Sequence, residues 1–373
     1  MAKQPCSAEQ IMTPSPASIQ ARQKRLFSKI GELGIDAVII LGMQNIRYFT
    51  GFTGSEGALI AAGGKVCLLV DGRYINQAPL EATVTEIVQF KDKLESVAGL
   101  VRDWGVGSAA MEAAYVSCQQ FSEISEKMPG FRIKMLGDEM TRLRCIKDTE
   151  EIEFIRLASA LSGRAVDNVM DLIKPGISEA DIALELDYRM RKSGSEGVSF
   201  DTIVASGENS ALPHAHPSAR RLRKGDFVII DYGGVLAGYH SDETCTFGVG
   251  EISTEQAKVY EIVKKAHDSA VSVIKPGVHC KFVDGTARSI IEEEGFGPYF
   301  LHGTGHGVGL EVHEYPRVSP QGDALLEPGM VITVEPGIYL SGSFGVRIES
   351  LIAVTDDGFR VLSTRDKGLK LLG

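Results

Sequence analysis

The second half of the chain carries four acidic residues at the ends of apolar, strand-like runs: Asp231, Asp242, Glu335 and Glu349. Asp231 ends the run that starts at 225, and the glycine-rich turn after it predicts a hairpin that returns Asp242 to its side. Glu335 and Glu349 stand around a second glycine-containing turn in the same way. Two carboxylates this close repel one another unless a cation neutralises them, so the pattern indicates a metal site.

Each hairpin alone also fits an explanation without a metal. One aspartate of the first hairpin could be buried and the other solvated. This hairpin by itself does not decide between that explanation and a metal. Glu349 lies in an apolar run where an unpaired carboxylate is costly, and Arg347 could be the partner that compensates it. We favour the metal because two similar hairpins together contribute four carboxylates.

A glycine-rich segment at 302–309 adds two imidazoles, His302 and His306. So many glycines disfavour a helix and predict a close approach of the backbone, and no glutamate follows His302 as the helical HExxH zinc pattern requires. One of the two histidines is a candidate ligand. Four carboxylates and one imidazole favour Mn²⁺ and similar hard cations. Two ions about 3.5–4 Å apart would balance the charge and share a water as the nucleophile.

An internal repeat supplies the elements that would position these residues. The tetrapeptide Ile-Lys-Pro-Gly at 173–176 recurs at 274–277, and each copy precedes a helical segment that ends at a glycine, Gly194 or Gly295. The strand 225–231 likewise matches 329–335. Two duplicated halves facing one another would bring the carboxylates that end these strands to equivalent positions, whereas strands in unrelated sheets would contradict this.

The length of 373 residues predicts two domains. We predict a disordered tail at 1–18, an α/β domain at 19–142 and the catalytic domain at 143–373. The first domain is expected to contain a helix around 25–33 and strands at 37–41, 58–61, 66–70 and 84–90. In the second domain, Asp148 with Glu151 three residues later predicts the capped start of a helix that runs towards Ile173.

Composition restricts the partners and the location. The chain is 43% hydrophobic and 24% charged, as in an ordinary globular protein, and its net charge of -10 argues against binding to nucleic acid. No apolar stretch reaches the length of about 18 residues that marks a membrane span, so no membrane partner is expected. The six cysteines are scattered without a CxxC pair, which argues against a zinc ribbon or a disulfide framework and favours a reducing cytoplasm.

The five candidate ligands resemble those of the pita-bread metallopeptidases, the family of aminopeptidase P, prolidase and methionine aminopeptidase. The family pattern is matched by Asp231 in a DxG strand end, Asp242 in an SDxTxT strand, His306 in HGxGHGxG, Glu335 in EPG and Glu349 after Arg-Ile. This combination of motifs is specific to the family.

The resemblance extends to the first domain, where 48–54 and 71–74 are similar to the amino-terminal domain of the proline-directed members. It implies an α/β (α+β) protein, with a small creatinase-type domain before a pita-bread domain of two duplicated helix-sheet halves related by a pseudo-twofold axis. It also implies a homodimeric hydrolase that cleaves the Xaa-Pro amide bond of peptides through a metal-bridging hydroxide. Methionine aminopeptidases lack the first domain, which argues against their specificity.

The resemblance also assigns roles to single residues. Asp242 and Glu349 would bridge two divalent ions, Asp231 would hold one of them, and His306 with Glu335 would hold the other. Mn²⁺ is the expected metal, with Co²⁺ or Zn²⁺ as alternatives. Glu335 would then be the general base.

Further residues would act around these ligands. His214 and His313 would hold the substrate and the developing oxyanion, His302 would also contact the substrate, and Arg347 and Thr244 would orient the ligands from behind. Relatives commonly have arginine where this chain has Cys245, which leaves the ligands untouched but puts in doubt whatever that arginine supplies. Cys245 is not expected to be a nucleophile, because no base is evident beside it.

Two other functions are weighed against the peptidase. A creatinase-like hydrolase works without a metal, and a non-catalytic pita-bread scaffold loses its ligands, so five intact ligand positions argue against both. The sequence does not decide between a dipeptidase and an aminopeptidase acting on proline-containing substrates.

Overall fold

The computed structural model describes residues 13–373, which form two compact units, 13–144 and 145–373. Each unit has its own hydrophobic core. The boundary lies two residues beyond the predicted one.

The first unit is a mixed six-stranded sheet with helices packed against it, in the strand order β4-β3-β2-β1-β5-β6. Its strands are β1 (Ala37–Ile40), β2 (Ala58–Ala62), β3 (Lys65–Val70), β4 (Glu86–Gln89), β5 (Ser108–Glu112) and β6 (Arg132–Leu136). Its helices are α1 (Pro16–Leu33), α2 (Met43–Thr50), α3 (Ala78–Glu81), α4 (Lys93–Asp103), α5 (Cys118–Lys127) and α6 (Glu139–Cys145). The central strand β1 is buried throughout and pairs antiparallel with β2 and parallel with β5, which confirms the predicted α/β class.

The first helix corrects the predicted tail. It begins at Pro16, so 16–18 are helical. The hydroxyl of Ser15 accepts a hydrogen bond from the amide of Ser18 at 3.2 Å, and proline suits the first helical position because its missing amide hydrogen is not needed there. Serine and proline favour loops as well as helix starts, which is why their presence was misleading. The rest of the predicted tail, residues 1–12, lies outside the described residues.

The second unit contains two sheets, two short ribbons and four α-helices. The helices are α7 (Thr149–Val169), α8 (Glu179–Lys192), α9 (Thr254–Ser272) and α10 (Cys280–Glu293). The strands are β7 (Ile203–Ser206), β8 (Phe227–Tyr232), β9 (Val235–Leu236), β10 (Tyr239–His240), β11 (Glu243–Val249), β12 (Gly305–Gly307), β13 (Glu314–Val318), β14 (Val331–Val334), β15 (Gly337–Leu340), β16 (Phe344–Arg347), β17 (Ser350–Val354), β18 (Phe359–Val361) and β19 (Lys370–Leu372). Turns of 3-10 helix lie at Met170–Leu172, Gly207–Ala211 and Gly297–Tyr299.

The predicted start of α7 is confirmed. The side chain of Asp148 accepts a hydrogen bond from the amide of Glu151, and the side chain of Glu151 accepts one from the amide of Asp148, both at 2.9 Å. This reciprocal cap satisfies two amide hydrogens that a helix start otherwise leaves without partners.

The second unit is built from two similar halves, as the repeat predicts. In one half β8 pairs antiparallel with β7 and β11, and in the other β14 pairs antiparallel with β12 and β17. A short ribbon follows the central strand in each half, β9-β10 in the first and β15-β16 in the second. The strands that lead to Asp231 and Glu335 therefore lie in separate sheets but at equivalent positions.

The two sheets of this unit meet where β11 runs beside the segment after β16. The amide of Glu349 donates to the carbonyl of Thr244 at 3.1 Å, and the hydroxyl of Thr246 donates to the carbonyl of Arg347 at 2.8 Å. Behind the sheets, α7 and α8 belong to one core and α9 and α10 to another. The junction of the sheets thus brings the two predicted hairpins together.

Candidate metal centre

The first hairpin brings two aspartates to the junction of the sheets. Asp231 lies in β8 and pairs with Thr244 of β11, while Asp242 stands one residue before β11 begins. A Cβ atom on Gly233 would lie 1.9 Å from the carbonyl oxygen of Ser241, so only glycine allows this close return of the chain. The turn chemistry therefore determines where Asp242 stands.

The second hairpin repeats this arrangement with glutamates. Glu335 follows β14 directly, and its amide donates to the carbonyl of Thr304 at 2.7 Å. Glu349 stands between β16 and β17, one residue before β17 begins. The apolar run at 346–354 thus divides into two strands, and the glutamate lies at the break between them.

The glycines around His306 allow close packing of its strand. A Cβ atom on Gly305 would lie 2.0 Å from the carbonyl oxygen of Thr333, and one on Gly307 would lie 2.3 Å from that of Tyr315. The close approach predicted for this segment is therefore between β12 and its two neighbouring strands. It places the imidazole of His306 among the carboxylates.

Ligand atoms from both hairpins and from β12 converge at one point. One ligand atom each from Asp242, His306 and Glu349 lie within 4.8 Å of one another. Nε2 of His306 lies 3.6 Å from Oδ2 of Asp242 and 3.4 Å from Oε1 of Glu335. Oδ2 of Asp231 accepts a hydrogen bond from Arg347, but its buried Oδ1 has no hydrogen-bond partner among the described residues.

These carboxylates repel one another in a buried setting. Burial, and then the charges of Glu349, Asp231 and Glu335, raise the pKa of Asp242 well above its ordinary value. The pKa of Glu349 is raised well above its ordinary value in the same way, and burial also raises that of Glu335. The single guanidinium of Arg347 does not balance four carboxylates, so further positive charge is needed for all of them to ionise together.

His306 presents a lone pair to this cluster. Its Nδ1 lies 3.0 Å from the carbonyl oxygen of Gly307, which can only accept, so Nδ1 carries the hydrogen. Burial lowers the pKa of His306 and favours the neutral ring, which leaves Nε2 as an acceptor facing Asp242 and Glu335. A neutral imidazole fixed by its second nitrogen, with several carboxylate oxygens around it, fits divalent cations.

Arg347 forms its ion pair with Asp231 and not directly with Glu349, although its charge partly offsets the raised pKa of Glu349. Its Nη2 donates to Oδ2 of Asp231 at 2.6 Å, and its Nε donates to the hydroxyl of Thr244 at 3.1 Å. That hydroxyl in turn donates to Oε2 of Glu349 at 2.8 Å. Arg347 therefore orients one ligand directly and reaches a second through Thr244, because the register of β11 places the threonine between them.

His302 is held inside the protein. Its Nδ1 lies 2.8 Å from the carbonyl oxygen of Gly303 and its Nε2 lies 2.9 Å from the hydroxyl of Tyr339, which also accepts from Arg347 at 2.9 Å. Both ring nitrogens are therefore engaged, and Nε2 begins a chain of hydrogen bonds that runs through Tyr339 and Arg347 to Asp231. The predicted contact of His302 with substrate stays a prediction, but its hydrogen bonds here serve to position Arg347.

His214 and His313 are the exposed histidines of the site. The ring of His313 lies edge-on to that of His306, with centroids 4.4 Å apart. Burial, and then the charges of His306 and His214, lower the pKa of His313, which places His214 within electrostatic range of it. Both imidazoles are accessible from solvent beside the carboxylate cluster.

Sequence reasoning missed two residues of this site. Tyr339 lies between His302 and Arg347, and Arg317 of β13 pairs across the sheet with His306 of β12. Cross-strand partners share one face of a sheet, so the exposed guanidinium of Arg317 stands on the face that carries His306. No acidic residue within 13–373 forms an ion pair with Arg317. Recognising β13 as a strand paired with 305–307 would have revealed it.

Cys245 is buried behind this site. Its sulfur lies 4.0 Å from the hydroxyl of Tyr232 and 3.9 Å from Nζ of Lys367. Burial raises the pKa of the thiol, which disfavours the thiolate that a nucleophile requires. This supports the expectation that Cys245 does not react with substrate.

Comparison with known proteins places both units in one family. A family model described as metallopeptidase family M24 matches residues 153–356, and one described as the creatinase/prolidase N-terminal domain matches residues 22–146. The chain is 36% identical over 351 residues to the Xaa-Pro dipeptidase of Pyrococcus furiosus, covering 94% of this chain and 100% of the relative.

Solved structures show the same likeness. The Xaa-Pro dipeptidase from Bacillus anthracis superposes with a TM-score of 0.92 at 37% identity, covering 95% of this chain and 100% of the other. An X-Pro aminopeptidase from Thermotoga maritima superposes with a TM-score of 0.87 at 39% identity, covering 94% and 100%. Within residues 13–373, none of the helices has the length and apolar character needed to cross a membrane. With a family model matching most of its second unit and relatives matching it almost end to end, the chain belongs to metallopeptidase family M24.

Proposed function

We propose that this protein hydrolyses the amide bond before proline in short peptides. The observation that carries the proposal is the buried, mutually repelling carboxylate cluster around the lone pair of His306. Relatives named Xaa-Pro dipeptidase and X-Pro aminopeptidase that align along nearly the whole chain support the proline preference.

Asp231, Asp242, His306, Glu335 and Glu349 would hold two divalent ions. Bound there, the ions would supply Lewis acidity toward the scissile carbonyl and lower the pKa of an attacking water. Mn²⁺ is our proposed metal, because carboxylate oxygens dominate the donor set. A homodimer and a cytoplasmic location are also part of the proposal.

The chain's own residues would handle the proton and orient the substrate. Glu335 would take a proton from the attacking water, because its carboxylate lies in the cluster, 3.4 Å from Nε2 of His306. The accessible imidazoles of His214 and His313 can donate hydrogen bonds to the substrate carbonyl and to the oxyanion that develops from it. Arg347 and Tyr339 would keep Asp231 in place through the turnover.

A dipeptide substrate is favoured by Arg317. Its guanidinium is exposed, stands on the same face as His306 and is not engaged by any acid of the described chain. A planar guanidinium binds a carboxylate through two parallel hydrogen bonds, and the carboxylate of a dipeptide lies one residue beyond the scissile bond. We therefore propose dipeptidase activity ahead of aminopeptidase activity on longer peptides.

Hydrolysis of Ala-Pro by the purified protein with Mn²⁺ tests the proposal. Glu335→Gln is expected to lower kcat by about 10²–10⁴-fold, the contribution of a general base. The matched control is Glu327→Gln, a surface glutamate in the same region, which should leave kcat unchanged. Wild-type protein that binds Mn²⁺ but leaves Ala-Pro and longer Xaa-Pro peptides intact would contradict the proposed function. Protein that binds no Mn²⁺ would favour a scaffold.

A further inference from the structure

Glu179 is a completely buried carboxylate at the first position of α8, outside the metal centre. It receives hydrogen bonds from both ends of a surface loop. At the first end, Oε1 accepts from the amide and from the hydroxyl of Ser206, both at 2.7 Å. At the second end, Oε2 accepts from the amide of Ser218 at 3.1 Å and from its hydroxyl at 2.6 Å.

The start of α8 strengthens this hold on the second end of the loop. The amide of Ala180 donates to the carbonyl of Ser218 at 3.0 Å, and the amide of Glu179 donates to that of Arg220 at 3.1 Å. Between the two ends, Asn209 donates its side-chain amide to both oxygens of Glu179, at 3.2 and 3.1 Å. One side chain therefore contacts both ends of the loop and the turn that follows the first.

The segment between these ends, 207–217, is the loop that carries His214; we call it the His214 loop. Its middle is bound to the metal centre, because Nη1 of Arg347 donates to the carbonyl of Pro213 at 2.9 Å. The ring of His214 itself is exposed. The position of this imidazole thus depends on how the loop is held rather than on contacts of the ring.

The second half of the unit holds its own histidine segment in a similar way. Asp284, a buried residue of α10, accepts from the amide of Thr304 at 3.0 Å and from its hydroxyl at 2.9 Å. Arg288, one turn along the same helix, pairs with Asp284 and donates to the carbonyl of His302 at 2.8 Å. In both halves, a buried carboxylate on the helix that follows the repeated Pro-Gly stop holds a histidine-bearing segment.

We propose that Glu179 is a positioning residue for catalysis, which sets the orientation of His214 toward the substrate by clamping both ends of the His214 loop. The inference rests on the proposed function for the role of His214. A carboxylate is required because every group facing Glu179 is a donor, and an amide in its place would set its own hydrogens against those donors. Displacing a substrate-positioning group by about 1 Å can cost on the order of 100-fold in rate.

The test compares Glu179→Gln with Asp181→Asn, a neighbouring acid on the same helix turn whose side chain accepts a hydrogen bond from the hydroxyl of Ser178. We expect Glu179→Gln to lower kcat/KM for Ala-Pro by about 10- to 100-fold at an unchanged Mn²⁺ content. Asp181→Asn should match the wild type. His214→Ala should lower kcat/KM strongly by itself but less than about twofold in the Glu179→Gln background, since the two residues act through one interaction.

Equal kcat/KM in Glu179→Gln and Asp181→Asn, or independent and multiplying losses in the double variant, would overturn the inference. If Glu179→Gln does not fold, Ser218→Ala removes one bond of the clamp and enters the same comparison with His214→Ala. Hydrogen exchange of 207–217 gives a readout without substrate. Faster exchange in Glu179→Gln than in Asp181→Asn supports the clamp even if the wild type hydrolyses no Xaa-Pro bond, whereas equal exchange refutes it.

Discussion

Replacing Lys147 by methionine should destabilise the second unit and weaken catalysis together. Nζ of Lys147 lies 3.0 Å from Oε2 of Glu314, and each side chain is only 1% exposed. Glu314 directly follows His313 and begins β13. The substitution keeps the length of the side chain but removes its charge, so the buried carboxylate of Glu314 loses this ion pair.

The expected size of the effect follows from this burial. Removing one partner of a buried ion pair costs about 3–5 kcal/mol, because the remaining charge stays buried away from water. For a unit of this size about 1 kcal/mol corresponds to a shift of roughly 2–4 °C, so the midpoint should fall by roughly 6–20 °C. Replacing both partners, as Lys147→Met with Glu314→Gln, removes the buried negative charge as well and should recover much of the loss.

Thermal unfolding followed by circular dichroism measures this, with Lys275→Met on an exposed lysine as the matched control. The loop before His313 packs on the same carboxylate, since a Cβ atom on Gly309 would lie 2.4 Å from Oε2 of Glu314. We therefore also expect a lower kcat/KM well below the unfolding temperature. A shift no larger than that of Lys275→Met, or a double variant less stable than Lys147→Met, would refute the reasoning.

Three further outcomes are expected. Chelation should abolish hydrolysis of Ala-Pro, and Mn²⁺ should restore it with about two ions per chain by elemental analysis. At about 100 times the dissociation constant, each bound ion should add about 2.7 kcal/mol of stability. Activity that survives full metal removal contradicts the site. Arg317→Ala should lower kcat/KM for Ala-Pro more than for Ala-Pro-Ala, unlike the exposed control Arg360→Ala, and equal losses on both substrates would argue against carboxylate binding. Cys245→Ala should keep kcat within about threefold of the wild type, since a buried thiol with a raised pKa is a poor nucleophile, and a loss comparable to that of Glu335→Gln would contradict this.

Local sequence signals were sufficient for the hairpins and for the repeat. Asp231 and Asp242 are joined by a short glycine-containing turn, and the Pro-Gly stops before α8 and α10 recur with constant spacing. These features depend on neighbours in sequence, because turn geometry and helix termination are decided within a few residues. The α/β class and the two similar halves followed from them and are confirmed.

Where one residue type suits two structures, the sequence was ambiguous. Pro16 stands at a helix start, although proline and serine nearby predicted a tail. Arg347 stood two residues from Glu349, on the same face of a continuous strand, and was a reasonable partner for it. The strand is interrupted between Arg347 and Ser350, however, and the guanidinium lies against Asp231. Neither outcome could be read from spacing alone.

Some features exist only through contacts between distant segments. The sequence by itself determined which acids and histidines could serve a metal, because residue type and local turns fix the donors. Tertiary structure decided that the two hairpins meet, that the carbonyl of Gly307 fixes the tautomer of His306, and that Arg317 stands opposite that imidazole. It also placed both ends of the His214 loop on Glu179. These depend on the pairing of strands and on burial, which are properties of the whole packed unit and not of any segment within it.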